Sequence, residues 1–120
     1  HIVNFERLLA DEGTTVLKFF LHIDAAEQKA RLQERLRDPS KQWKLQASDL
    51  ADRTQWAEFI KAYEEALGRT STVHAPWYVV PSNKKWYRNV VVAHILREAL
   101  ERLKPEFPPL APELAGVRSL

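Results

Sequence analysis

The chain has 120 residues, 45% hydrophobic and 28% charged, which is enough for one small domain with a modest core. A net charge of +2 excludes a molecule that is strongly basic as a whole, so an anion site has to come from local clustering. The lack of cysteine excludes disulfides and thiolate metal sites, and apolar runs such as residues 90–93 are far too short to span a bilayer.

In chain order, residues 2–9 read as a helix with Ile2, Phe5, Leu8 and Leu9 along one face. Gly13 suits the point where the chain leaves it. Residues 14–23 are nearly continuously apolar, which predicts a strand covered on both faces. Asp24 is placed to cap the next helix, with Glu27 three residues on, and Asp38-Pro39 ends that helix at Arg37. Residues 40–49 are polar and basic and read as a mobile excursion with at most one helical turn. A third helix is expected over 54–67, with Trp56, Phe59, Ile60, Tyr63 and Leu67 as its apolar stripe and Gly68 at its end. A loop over 70–76 leads to a short strand over 77–80, closed by Pro81. Ser82 is placed to cap a long helix reaching Leu103, with Val92, Ile95, Leu96, Ala99, Leu100 and Leu103 on its buried face. Pro105 stops it, and a proline-containing tail follows.

Strands alternating with helices indicate an α/β unit with a parallel sheet. Two strands are too few for a stable open sheet, and the chain has no methionine and only three glycines. It is therefore read as part of a longer polypeptide whose further strands precede His1. No charged-then-apolar leader is visible, and a cytoplasmic setting is expected.

The stretch richest in chemistry is residues 31–44, Arg-Leu-Gln-Glu-Arg-Leu-Arg-Asp-Pro-Ser-Lys-Gln-Trp-Lys. Arg31 and Arg35 share a helix face, where like charges repel by about 0.2–0.5 kcal/mol, and an anion between them removes that cost. Lys41 and Lys44 add cations just beyond, a grouping that suits a polyanionic phosphate ligand. The plainer alternative is a solvated helix face with Glu27 and Glu34 balancing the arginines. Lys18 and His22 lie on one face of the first strand, and His22 falls at its C-terminal end, where open α/β sheets bind ligands. For both, the favoured reading is structural: an ion pair for Lys18 and a backbone hydrogen bond for His22. Thr70-Ser71-Thr72 reads as a turn with local hydrogen bonds. Trp56, Trp77 and Trp86 are expected to be packed, and Trp43 stands among lysines, where it is a candidate to stack on a base. No histidine and carboxylate set has the spacing of a protein-built zinc site.

Asp38-Pro39-Ser40-Lys41-Gln42-Trp43-Lys44 is similar to the Asp-Pro-x-Lys-x-Trp-Lys motif of the family-2 polyphosphate kinases. Further blocks match in order: Lys18 to His22 with Glu27-Gln28, Asp49 to Arg53 with Trp56, Thr70 to Thr72 with Ala75 to Pro81, and Lys85-Trp86-Tyr87-Arg88. The resemblance implies the C-terminal part of a P-loop kinase-like three-layer fold over residues 1–109, with a lid over about 31–53 and a tail over 110–120. It implies magnesium-dependent phosphoryl transfer between inorganic polyphosphate and a nucleoside mono- or diphosphate. The nucleotide pair is ADP/ATP or AMP/ADP, with GDP/GTP also possible. By position, Arg31, Arg35, Lys41 and Lys44 fall at the lid, with Arg53, Arg88 and Lys18 as further candidates. A cytoplasmic homo-oligomer without nucleic acid or membrane partners is expected.

One departure bears on activity. Gly13, Gly68 and Gly116 are too far apart for a Gly-x-x-x-x-Gly-Lys-Ser/Thr phosphate cradle. The strand-end Asp with neighbouring Arg that the family uses with magnesium is also not seen here. No catalytic residue or metal ligand is therefore expected in this segment. By itself it is expected not to turn over, and a non-catalytic polyanion-binding module is the alternative. A nucleic-acid-binding helix is a third, disfavoured by the small net charge.

Overall fold

The computed structural model describes residues 1–112 and residue 116. The rest of the expected tail, residues 113–115 and 117–120, lies outside the described residues. The first helix, α1 (Ile2–Asp11), ends where Gly13 takes a φ of +83°. That left-handed turn lets the Thr14 N–H reach the Leu9 carbonyl at 2.9 Å and the Gly13 N–H reach Ala10 at 3.0 Å. The chain then enters β1 (Lys18–His22), which pairs in parallel with β2 (Trp77–Pro81) in a two-stranded sheet. Lys18 lies opposite Trp77 and His22 opposite Pro81. The strand is shorter than the apolar run over 14–23 because its partner offers only five residues to pair with.

Between the strands lie α2 (Ala25–Arg37), a single 3-10 turn over Gln42–Lys44, α3 (Ala47–Thr54) and α4 (Trp56–Thr70). The expected excursion over 40–49 is therefore folded and leads into a helix, α3, that was not expected, while the helix expected over 54–67 is α4. Asp49 caps the start of α3 by accepting the Gln46 N–H at 3.0 Å. Helix α4 runs through Gly68 and ends at Thr70, whose hydroxyl donates to the Ala66 carbonyl at 2.6 Å. Gly68 is thus inside the helix and not at its end. After β2, α5 (Lys85–Leu103) begins later than a Ser82 cap requires. Ser82 is buried, and its hydroxyl donates to the Val80 carbonyl at 2.8 Å. The Pro105 side of α5 closes at Lys104, which is left-handed with φ 45°.

Four elements meet at Lys18. Its ammonium lies 2.7 Å from Glu6 of α1, donates to the Thr70 carbonyl at the end of α4 at 2.7 Å, and sits 5.2 Å from the Trp77 ring of β2. The structural expectation for Lys18 is met: its side chain is 11% exposed and that of Glu6 9%. The indole of Trp77 donates to the Thr70 hydroxyl at 2.8 Å, and the Ser71 and Thr72 hydroxyls accept the N–H groups of Trp77 and Ala75. The Thr70–Thr72 hydroxyls thus serve the turn.

Elsewhere the chain is open. Its radius of gyration is 21.2 Å, against about 14 Å for a compact chain of this length. It exposes 9978 Å², against about 6,700 Å² for a folded monomer of this mass. Part of the excess is the tail, where Phe107 is fully exposed. The rest includes apolar side chains expected to be covered. Phe5 and Leu8 of α1, Leu21 of β1, and Leu96, Leu100 and Leu103 of α5 are all exposed. Trp86 is 65% exposed and meets Tyr87 edge-on, against its expected burial. The two-sided cover expected for β1 is absent because a sheet of two strands leaves much of each face bare. Among the described residues, no helix is long and apolar enough to cross a membrane.

Removing one member of the Lys18–Glu6 pair strands a nearly buried charge. Glu6→Ala is expected to lower unfolding free energy by about 3 kcal/mol, whereas Glu6→Leu with Lys18→Met recovers most of it. Denaturant titration of the three proteins checks this, and equal losses in the single and double variants would contradict it.

Candidate functional site

The C-terminal ends of the two strands are stitched together. The Ser82 N–H donates to the His22 main-chain carbonyl at 2.7 Å, and the His22 side chain is exposed at the mouth of the junction. Asn83 reaches across to the start of α2, with its Nδ2 donating to Asp24 Oδ2 at 2.7 Å and its Oδ1 accepting the Asp24 N–H at 3.2 Å. Asp24 Oδ1 accepts the Glu27 N–H at 2.7 Å and caps α2 as expected. The Glu27 N–H first, and the Asn83 amide second, hold the Asp24 carboxyl below its ordinary value of 3.8. A pocket of about 320 Å³ opens at this junction, lined by His22, Asp24, Pro81, Asn83, Lys84 and Tyr87.

The predicted cations divide into two groups. Arg31 is a brace. Its Nε donates to Glu27 at 2.8 Å, and its Nη2 donates to the carbonyls of Ser82 at 2.7 Å and Asn83 at 3.3 Å. Lys41 is held between Glu34 Oε1 at 2.7 Å and Asp38 Oδ2 at 3.0 Å. Those carboxylates raise the Lys41 pKa, and Lys41 in turn lowers that of Glu34, with Lys85 adding to the effect. Arg53 Nη1 donates at 2.9 Å to both the Ala25 carbonyl and Gln28 Oε1, tying α3 to the start of α2. Arg88 donates to its neighbour Asn89 at 2.8 Å and 3.1 Å. Lys18 starts β1, about 13 Å from the strand's far end, and takes no part in this face.

Arg35 and Lys44 differ from these. Neither forms an ion pair among the described residues. Arg35 sits one turn beyond Arg31 and lines a pocket of about 210 Å³ with Gln28, Asp49 and Asp52. Lys44 ends the 3-10 turn with its ammonium 5.1 Å from the centre of the Trp43 ring. A roomier groove of about 440 Å³ lies between α2 and α3, but Leu32, Leu36, Leu45 and Leu50 make it apolar.

Lys84 lines the strand-end pocket and Lys85 follows it, and neither stood out in the sequence as a ligand. Lys84 occupies the cap position of α5 and Lys85 its first turn, which holds no acid. Cations there oppose the helix dipole, a placement that a bound anion relieves. The run Asn83-Lys84-Lys85 after a strand was the available signal.

A parallel strand–helix–strand unit with cations and a capped loop at its strand ends is an α/β unit of the ligand-binding kind. The family described as Polyphosphate kinase 2 matches residues 1–108. The chain belongs to the polyphosphate kinase 2 family. It is 58% identical over 116 residues to an AMP/ADP-polyphosphate phosphotransferase of Meiothermus ruber, covering 97% of this chain and 43% of that protein. It is 39% identical to an ADP-polyphosphate phosphotransferase of Rhodopseudomonas palustris, covering 92% of this chain and 38% of that one. Among solved structures, polyphosphate kinase 2 from Arthrobacter aurescens TC1 superposes with a TM-score of 0.90 at 45% identity, over 98% of this chain and 42% of that chain. The P-loop kinase-like α/β fold is thereby shown, and the chain spans less than half the length of these relatives.

The Asp24 carboxyl titrates lower in the folded chain than in the unfolded one. Its contribution to stability is therefore complete above about pH 4 and is lost as pH falls through the lower folded value. Asp24→Asn keeps a capping oxygen and removes the titration. Its melting temperature should fall less than that of the wild type between about pH 5 and about pH 3; parallel curves would show that Asp24 does not set the acid limit.

Proposed function

We propose that this chain is the polyanion-gripping part of a polyphosphate-dependent nucleotide phosphotransferase, moving a phosphoryl group between inorganic polyphosphate and a nucleoside mono- or diphosphate. The observation that carries the reading is the pairing pattern on the α2 face. Among the described residues Arg35 and Lys44 form no ion pair, though Asp49 and Asp52 line the pocket of Arg35, while Arg31 and Lys41 are anchored by carboxylates. The Meiothermus relative's name supports AMP and ADP as acceptors, and a Corynebacterium relative named as a GDP-polyphosphate phosphotransferase keeps GDP in view.

Phosphoryl transfer asks little covalent chemistry of a protein; it asks for positioning and for charge facing the transferring oxygens. In this reading Lys44 and Arg35 neutralise non-bridging oxygens of the polyphosphate. Arg31 holds the Ser82–Asn83 backbone so that Lys84 and Lys85 meet the same anion, and Lys41 fixes the turn that presents Lys44. Closure of the 31–53 segment over the anion excludes water and strengthens each of these contacts. Arg53 serves by holding α3 to α2, and Arg88 and Lys18 stand outside the contact set.

Magnesium is part of the proposal, but the donors here do not fit a resident ion. The described residues bring together no group of three or more His, Asp or Glu side chains able to hold one. A bound magnesium supplies charge to the phosphate oxygens, and its protein ligands are assigned to the remainder of a family-length enzyme. A cytoplasmic setting accords with nucleotide substrates and with the absence of cysteine. A homo-oligomer without nucleic acid or membrane partners completes the reading. The second reading is a module that holds polyphosphate without turnover.

The test is ATP formation from ADP, polyphosphate and magnesium by the 120-residue chain and by the full-length enzyme that carries it. ATP from the full-length enzyme only is expected. If neither makes ATP and AMP also fails as acceptor, the binding-module reading replaces this one. In the full-length enzyme, Lys44→Ala should cut turnover at low polyphosphate about tenfold or more while the melting temperature holds. An unchanged rate removes Lys44 from the site.

A further inference from the structure

The turn that carries Lys44 contains a tryptophan that stability does not explain. Trp43 is 77% exposed, yet its indole is fixed: Nε1 donates to the Ser40 carbonyl at 2.9 Å. Ser40 is fixed in turn by Asp38, whose Oδ1 accepts the Ser40 N–H at 3.0 Å and its hydroxyl at 2.7 Å. The Ser40 hydroxyl first, then the Lys41 ammonium and the Ser40 N–H, hold the Asp38 carboxyl below its usual range. The turn closes when the Lys44 N–H reaches the Lys41 carbonyl at 3.0 Å. At the end of this relay the Lys44 ammonium sits over the indole, 5.1 Å from the ring centre. That lies within the range where the ring quadrupole attracts a cation.

We propose that Trp43 is a positioning residue for Lys44: its indole face is the rest that holds the ammonium where polyphosphate meets it. The inference rests on the lid reading above and deepens it. A lysine on a flexible four-carbon stem loses considerable freedom when it grips an anion. A ring that already gathers the ammonium lowers that loss. The same turn gives Lys41 a different task, since Glu34 and Asp38 both hold it. Of the two lysines flanking Gln42-Trp43, one builds the turn and the other is presented by it. The exposed ring makes few packing contacts, so its removal leaves the fold intact.

The test uses the full-length enzyme with Trp43→Leu, Trp43→Phe, Lys44→Ala and the Trp43→Leu/Lys44→Ala double variant. Trp43→Leu is expected to raise the KM for polyphosphate about two- to fivefold, with the nucleotide KM unchanged. Trp43→Phe, which keeps an aromatic face but loses the Nε1–Ser40 bond, recovers part of that loss. The double variant is no worse than Lys44→Ala, because the ring acts only through the lysine. If the two losses add in full, Trp43 does not act through Lys44 and the inference falls. If the nucleotide KM rises instead, the indole is a base-stacking surface and the inference falls. A melting temperature lowered together with the KM change would make Trp43 a packing residue and also overturn it. If Lys44→Ala leaves the polyphosphate KM unchanged, the lid reading itself fails and takes this role with it.

Discussion

The Lys18 ammonium is the constraint from which the rest of the architecture follows. A nearly buried cation has to be paired and hydrogen-bonded, or its desolvation is uncompensated. Lys18 meets that demand with Glu6 of α1, the last carbonyl of α4 and the ring face of Trp77 in β2. One charge thereby fixes the starting ends of both strands and the two helices that feed them. With that end locked and a parallel register of five pairs, the opposite strand ends are brought side by side. Ser82, Asn83 and Asp24 then close the junction. The site face is built at the end of the sheet that the Lys18 knot does not occupy.

Charge on that face is divided between construction and display. Arg31 joins an acid four residues back to two carbonyls far along the chain, so its guanidinium fork is used as a bracket. Lys41 is similarly committed. Arg35 and Lys44 lack such partners among the described residues. A basic cluster read from composition treats all of these as equivalent. Geometry separates them, because a cation already neutralised by two carboxylates adds little field where an anion would sit.

Much of the fold was legible. The α1 stop at Gly13, the Asp24 cap, the α2 stop at Asp38-Pro39 and the β2 strand all follow from short-range chemistry, and the structure has each of them. The α/β class followed from their order. What was missed has physical causes. Helix α3 is eight residues, five of them polar, too short for periodicity to reveal, and its Gln46–Asp49 cap lies in a largely polar stretch. Gly68 is a poor guide because a glycine within a helix costs about 1 kcal/mol, and fifteen residues of α4 absorb that. Ser82 looked like a cap and is instead buried, since the backbone there is still following β2. On the site, residues 31–44 were visible as a cluster, but the roles of its members were not. That of Arg31 depends on Ser82 and Asn83, some fifty residues away in sequence, and that of Lys41 on which nearby carboxylates its ammonium reaches.

The turn over residues 38–44 is nearly self-contained, and this bears on the proposal that the segment closes on a ligand. Its bonds run from Asp38 to Ser40, from Trp43 to Ser40, and from Lys41 to Glu34 and Asp38, with Gln42 reaching the Leu36 carbonyl at 2.9 Å. None of these reaches the sheet. The turn and the end of α2 can therefore shift together without breaking the bonds that shape them, as a hinged body does. The brace at Arg31 marks where that freedom ends, because it ties the first half of α2 to the β2–α5 loop. In the proposed lid, closing would therefore cost movement of a preformed unit and not the ordering of a loose one.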